Sequence, residues 1–144
     1  ELLHKVMTEK DETYVDISDS LTDAISLFIK KNMKYKHPFT VELQNKLYEN
    51  IPNPDFSISD EILAMGFNLD YFRRCFKEDF NMTPHEYLTN MRIDLAKKTL
   101  RTDALLSIET IAYMAGFNDS FYFSKIFKKY TGLTPRDYRK KHSG

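Results

Sequence analysis

The chain has 144 residues, enough for one large or two small domains, and 42% of them are hydrophobic. A single cysteine, Cys75, excludes an internal disulfide framework, and no apolar run approaches the length of a membrane span. The net charge of zero counts against nucleic-acid binding, but residues 101–144 carry eight Lys or Arg against four acids, whereas residues 37–100 carry seven against ten.

Residues 1–36 have the pattern of a helical linker. Asp19 or Ser20 is a candidate N-cap for a helix whose apolar residues recur on one stripe. The His37-Pro38 pair ends this helix, because the residue before a proline disfavours the helical region. A further helix is predicted over Thr40–Asn50.

The rest of the chain contains one pattern twice. Residues 57–87 read SISDEILAMGFNLDYFRRCFKEDFNMTPHEY, and residues 107–138 read SIETIAYMAGFNDSFYFSKIFKKYTGLTPRDY. The two Gly-Phe-Asn triplets begin at Gly66 and Gly116, 50 residues apart, and the residues after them correspond at an offset of 51. One residue is therefore inserted just after the second triplet. Two copies of one supersecondary unit predict two copies of one surface.

Each copy is predicted to form two helices joined by a glycine turn, the shape of a helix-turn-helix. Ser57 and Ser107 are candidate N-caps of the short first helices, and the glycine after each suits a left-handed backbone. Thr83-Pro84 begins a capping box, which predicts a long helix after the first copy. The predicted fold class is all-α: two helix-turn-helix subdomains joined by a long central helix and preceded by a helical linker.

The second helix of each copy has two different faces. Its aromatic stripe faces the core, and Cys75 on that stripe is interpreted as a small buried hydrophobe rather than a nucleophile. The opposite faces carry residues at equivalent positions, spaced i, i+3, i+4, i+7: Asp70, Arg73, Arg74 and Lys77 in the first copy, and Phe121, Ser124, Lys125 and Lys128 in the second. Such a helix fits the major groove of B-DNA, where Arg and Lys donate to guanine.

Seven basic residues suit contacts to DNA phosphates, which set affinity and register but not the choice of sequence. They are Lys77, Lys128, Lys129, Arg136, Arg139, Lys140 and Lys141. Four residues on the central helix are weaker candidates for the same role: Arg92, Lys97, Lys98 and Arg101.

The stretch ETIAYMAGFNDSFYFSKIFKKYTGLTPRDYR, residues 109–139, resembles the signature segment of AraC/XylS-type bacterial transcription regulators. The first copy is similar but more degenerate, and the resemblance covers about residues 39–141. It implies a DNA-binding region of seven helices, with two recognition helices in successive major-groove segments on one face of DNA. Family positions that read bases fall on Asp70, Arg73, Arg74, Ser120, Phe121, Ser124 and Lys125.

The resemblance also implies the organisation and partners of the protein. Residues 1–36 are expected to be a linker from a missing N-terminal domain, followed by a first helix-turn-helix subdomain (37–83), a connecting helix (84–102) and a second helix-turn-helix subdomain (103–144). The expected protein is a cytoplasmic bacterial regulator that binds double-stranded DNA. RNA polymerase is an expected partner if the protein activates transcription. A second copy of the protein is another expected partner, bound through the missing N-terminal domain.

Three alternatives stay open at this point. Asp70 either accepts a hydrogen bond from cytosine N4 or repels a phosphate, and Phe121 either touches a thymine methyl group or folds back into the core. The chain as a whole is either a DNA-binding regulator or a helical protein-interaction module. Catalysis is not expected, because the four histidines lack metal-ligand spacing and no nucleophile has an evident base; no metal or cofactor is expected either.

Overall fold

The computed structural model describes residues 21–25 and 36–142 of the chain. The chain divides into two units, Glu1–Lys34 and Tyr35–Gly144. In the first unit, residues 21–25 are helical and exposed, within the helix predicted there. The N-cap expected at Asp19 or Ser20 lies outside the described residues.

Residues 36–142 form seven α-helices and no strand, which confirms the all-α prediction. In chain order they are α1 (Pro38–Glu49), α2 (Ile58–Ala64), α3 (Leu69–Phe80), α4 (Pro84–Thr102), α5 (Ile108–Met114), α6 (Ser120–Thr131) and α7 (Pro135–His142). No helix in the described part of the chain is long and apolar enough to cross a bilayer.

Helix α1 begins at Pro38, so the start predicted at Thr40 is wrong by two residues. Pro38 occupies the first helical turn, where its missing N–H costs nothing. The cap comes from a distant residue, Asp79 of α3. Its carboxylate accepts a hydrogen bond from the His37 backbone N–H at 3.1 Å and another from Thr40 Oγ1 at 2.6 Å.

Two hydrophobic cores share the long helix α4. Leu88 of α4 joins the first core, which is built from α1, α2 and α3 around Phe72 and Phe76. Ile93, five residues later, joins the second core, built from α5 and α6 around Phe123 and Phe127. Five residues turn an α-helix through about 140°, so the two cores pack on different sides of α4.

The predicted helix ends are present in both copies. Ser57 and Ser107 cap α2 and α5 by accepting a hydrogen bond from the backbone N–H three residues later. Thr83 forms the predicted capping box at the start of α4. Asn81, which stands where the second copy has Gly132, adopts a left-handed conformation with φ of 57°, because Asn tolerates this region better than most residues.

Candidate nucleic-acid interface

Helix α3 separates an apolar face from a charged one. Phe72 and Phe76 are fully buried and Cys75 is 3% exposed, so the interpretation of Cys75 as a buried hydrophobe is confirmed. The outward face contains the four predicted residues, all of them exposed: Asp70, Arg73, Arg74 and Lys77.

Two of these cations have neighbours on their own helix. Arg73 Nη1 lies 3.8 Å from the Asp70 carboxylate, one turn earlier, and the Asp70 side chain is 94% exposed. The Arg74 guanidinium lies over the Tyr71 ring, 5.7 Å from its centroid. An exposed ion pair and a surface cation–π contact are each worth roughly 1 kcal/mol or less. Both side chains can therefore exchange these contacts for a ligand.

Helix α6 repeats this arrangement with a different chemistry. Phe123 is fully buried, whereas Phe121 is 86% exposed, so Phe121 does not fold back into the core. Lys125 is exposed as well. The Ser124 hydroxyl donates to the Ser120 backbone carbonyl at 2.8 Å, which leaves its oxygen lone pairs to accept from another group.

The extra residue of the second copy lies in the turn before α6, so it does not change the length of α6 relative to α3. In the first copy, Asn68 caps α3 by accepting from the backbone N–H groups of Asp70 and Tyr71. In the second copy the inserted residue, Asp119, caps α6 instead, at 2.6 Å from the Tyr122 backbone nitrogen. Both helices consequently have 12 residues and keep the offset of 51 throughout.

The phosphate candidates fall into two groups. Six of them are exposed: Lys77, Lys128, Lys129, Arg136, Lys140 and Lys141. Arg139 is half-buried, and its guanidinium donates to the backbone carbonyls of Leu106 at 2.6 Å and Ala104 at 3.4 Å. Arg139 therefore ties α7 to the loop before α5, a use that its sequence position did not indicate.

Surface grooves bring some of the predicted residues together. An open groove of about 790 Å³ is lined by the start of α6, including Ser120, Phe121 and Ser124, and by Arg136 and Arg139 of α7. The first copy has a smaller groove of about 330 Å³, lined by Arg73 and by the start of α4. Arg73 of the first copy and Ser120, Phe121 and Ser124 of the second thus line separate grooves, whereas Asp70, Arg74 and Lys125 line neither.

Arg92, the weaker phosphate candidate on α4, has hydrogen-bond partners inside the protein. Its side chain on α4 is partly buried, and burial lowers the pKa of its guanidinium from the ordinary value. It donates to two backbone carbonyls of the loop between α1 and α2, at Ile51 and Asn53. At least two of its N–H donors are held inside the protein, and the phosphate contact suggested for Arg92 stays a prediction.

Comparison with known proteins identifies the fold and its relatives. Residues 63–141 match the family model described as a helix-turn-helix domain. The chain is 37% identical over 98 residues to the uncharacterized transcriptional regulatory protein YesN of Bacillus subtilis strain 168, covering 67% of this chain and 27% of YesN. The chain spans less than a third of the length of the first curated relatives that it matches.

Solved structures give the same result. The C-terminal domain of the two-component response regulator yesN from Fusobacterium nucleatum is 31% identical, with a TM-score of 0.66 over 72% of this chain and 99% of that one. The DNA-binding domain of AdpA, solved in complex with a target DNA, has a TM-score of 0.65 over 71% of this chain and 90% of that one. At 20% identity the AdpA domain supports the fold alone.

Proposed function

The chain belongs to the AraC-type helix-turn-helix family, and from this premise we propose that its second unit binds double-stranded DNA in a sequence-specific manner. Helices α3 and α6 enter successive segments of the major groove. The protein to which this unit belongs regulates transcription.

One observation carries this proposal. Two helices of equal length, in register at an offset of 51 residues, each bury an aromatic face in a core of their own and expose a face with long cationic side chains. A protein-interaction module gives no reason for matched cations at Arg74 and Lys125. A pair of major-groove readers needs them, because guanine offers two acceptors at its major-groove edge.

The proposed base contacts follow the exposed faces. On α6, Lys125 donates to guanine, Ser124 accepts a hydrogen bond from a base, and Phe121 packs on a thymine methyl group. Ser120, at the first turn, reads the flanking base. On α3, Arg73 and Arg74 donate to guanine, and Asp70 accepts from cytosine N4.

The proposed phosphate contacts come from exposed lysines and Arg136. Lys77 on α3 and Lys128 on α6 occupy equivalent positions one turn beyond the base-reading residues. The other phosphate contacts come from the more basic second half of the chain, from Lys129 on α6 and from Arg136 and Lys140 on α7. Arg139 contributes charge near the backbone while its own hydrogen bonds hold the loop before α5.

Binding to selected duplexes tests the proposal. A random duplex pool is enriched on the protein, and fluorescence anisotropy then gives the Kd of the selected site and of a scrambled site at several salt concentrations. Each phosphate contact adds about 0.9 to the slope of log K against log salt. Five to six contacts predict a slope of about −5, with the selected site bound more tightly at every salt concentration. Absence of duplex binding would favour the protein-interaction module.

For the whole protein we propose a bacterial regulator that works in the cytoplasm. Residues 1–36 link the DNA-binding unit to an N-terminal domain outside the chain, through which a second copy binds. RNA polymerase is the partner if the protein activates transcription. The relatives that support this role are named as transcriptional regulators, none as an enzyme.

A further inference from the structure

Arg92 links the two helix-turn-helix copies. It lies on α4 between the two cores, and its Nε donates to the Ile51 carbonyl at 3.0 Å while one terminal nitrogen donates to the Asn53 carbonyl at 2.6 Å. Both acceptors belong to the loop between α1 and α2, in the first helix-turn-helix subdomain. The Arg92 guanidinium also lies over the Phe117 ring, 5.9 Å from its centroid, and Phe117 belongs to the second core.

Gly116 permits a close approach at the same place. It forms the turn between α5 and α6 with φ of 81°, and a Cβ at this position would lie 2.2 Å from the Ile51 carbonyl oxygen and 2.8 Å from Arg92 Nε. The equivalent Gly66 of the first copy has φ of 83° and open space around it. The absence of a side chain at Gly116 thus allows the loop between α1 and α2 to pack on the turn between α5 and α6.

A further contact extends this junction. Asn118 Nδ2 lies 3.4 Å from the Asp55 carboxylate, two residues beyond the carbonyl of Asn53. In the first copy the residue equivalent to Asn118 is Asn68, which caps α3. The insertion of Asp119 moves the capping role by one residue and leaves Asn118 to contact Asp55 of the first helix-turn-helix subdomain.

We propose that Arg92, together with the close approach at Gly116, is a positioning device that fixes the orientation of the first recognition helix relative to the second. This inference rests on the proposed function for its consequence in DNA binding. The junction joins the loop after α1 to the turn that precedes α6, so α4 is not the sole connection between the two copies. A single shared helix would allow the copies to twist against each other, and the junction opposes that motion.

A fixed orientation imposes a fixed spacing of the two half-sites. Each added base pair moves a half-site about 3.4 Å along the duplex and rotates it by about 35°, because B-DNA has 10–10.5 base pairs per turn. A rigid protein must then distort the DNA or lose one set of contacts. A protein with a loose junction can instead reorient one recognition helix to fit the new spacing of the half-sites.

The orientation is measured without DNA. Spin labels at Tyr48→Cys on α1 and Tyr113→Cys on α5, both well exposed, report the distance distribution between the copies, while Cys75 stays buried. We expect a narrow distribution that broadens in Arg92→Lys and Arg92→Ala, because Lys lacks the fork that reaches two carbonyls. Arg101→Lys and Arg101→Ala, at an exposed position of the same helix, serve as controls and keep the narrow distribution. An unchanged distribution in both Arg92 variants overturns the proposal.

Spacing preference is measured on the selected duplex and on versions with one base pair added or removed between the half-sites. We expect the native chain to lose affinity about tenfold or more, and Arg92→Lys to lose roughly threefold or less. Affinity for a single half-site, unchanged in Arg92→Lys, shows that each copy remains folded. An equal spacing penalty in native chain and variant refutes the role in DNA recognition. If no duplex binds at all, the proposed function fails, and the label distances alone decide whether Arg92 orients the copies.

Discussion

Lys125 occupies the position on α6 that Arg74 occupies on α3, and its side chain is exposed. We expect Lys125→Ala to weaken binding to the selected duplex by about 1–3 kcal/mol and to relax the preference at one base pair, because the lost donor faces a base edge. Anisotropy titrations against the selected site and its single-base variants measure both effects.

Lys128 is the matched control for this prediction. It lies three residues after Lys125 on α6, at the position equivalent to Lys77, and is proposed to contact a phosphate. Lys128→Ala should weaken binding to all duplexes alike and reduce the salt slope by about 0.9. If Lys125→Ala behaves in the same way as Lys128→Ala, Lys125 is a phosphate contact as well.

Phe121 and Phe123 are two residues apart on α6 and differ completely in burial, at 86% and 0% exposed. Phe123→Ala removes a ring from the second core and should lower the free energy of unfolding by about 3–5 kcal/mol. Phe121→Ala should change it by about 0.5 kcal/mol or less, yet weaken binding to the selected duplex. Urea unfolding and DNA titration of the same two variants separate stability from recognition, and a large loss of stability in Phe121→Ala would contradict the outward orientation.

Helix α1 depends on a carboxylate from another helix. Burial acts to raise the pKa of Asp79, but hydrogen bonds from Thr40 Oγ1 and from the backbone N–H groups of Lys36 and His37 outweigh it and hold the pKa below its ordinary value. A carboxyl with a lower pKa in the folded state stabilises the protein fully above its unfolded pKa of about 3.9. That stabilisation is lost as the pH falls through the folded value.

Asp79→Asn tests this capping interaction. It should lower the free energy of unfolding by about 1–2 kcal/mol at pH 7, and the difference from the native chain should shrink below about pH 4. Urea unfolding at a series of pH values measures it. Asp94→Asn is the control, because Asp94 is 71% exposed and pairs with Lys97 on the surface. If the free energy of unfolding differs between the native chain and Asp79→Asn by the same amount down to pH 2, the charge of Asp79 is not the cause of the difference.

The sequence predicts helix caps, whose partners are close along the chain, but not contacts between residues that are far apart along the chain. Ser57, Ser107 and Thr83 were predicted as caps because a cap bonds within three residues of itself, and the local pattern contains both partners. Asp79 and Arg92 were not assigned their roles, because their partners lie about 40 residues away. A single sequence has no local signal for such a contact, whereas helix faces, glycine turns and the repeat are all local.

The same limit applies to the candidate site. The exposed faces of α3 and α6 follow from a 3.6-residue period, so their residues could be chosen before any coordinates. Arg139 differs: its charge and position favour a phosphate contact, but its guanidinium donates to the backbone carbonyl of Leu106. A basic residue near a chain end gives no indication of whether a carbonyl or a phosphate is its partner.

The junction between the two copies gives a test that compares three glycines. Gly66, Gly116 and Gly132 all have φ near 80°, so alanine is strained at each by about 1–2 kcal/mol. Gly66 and Gly132 have open space where a Cβ would lie, whereas at Gly116 the Ile51 carbonyl oxygen would be 2.2 Å away. Gly116→Ala must therefore also displace the loop after α1, at a further cost of about 1–3 kcal/mol.

Thermal unfolding of the three alanine variants separates backbone strain from the junction. One kcal/mol corresponds to a shift in Tm of about 4–8 °C for a 60–100-residue domain, so Gly116→Ala should unfold at a visibly lower temperature than Gly66→Ala or Gly132→Ala. Arg92→Ala combined with Gly116→Ala should cost less than the two separate losses added together, because both changes release the same loop from the same turn. Equal Tm values for the three variants, or full additivity in the double variant, would show that the two copies do not depend on this contact.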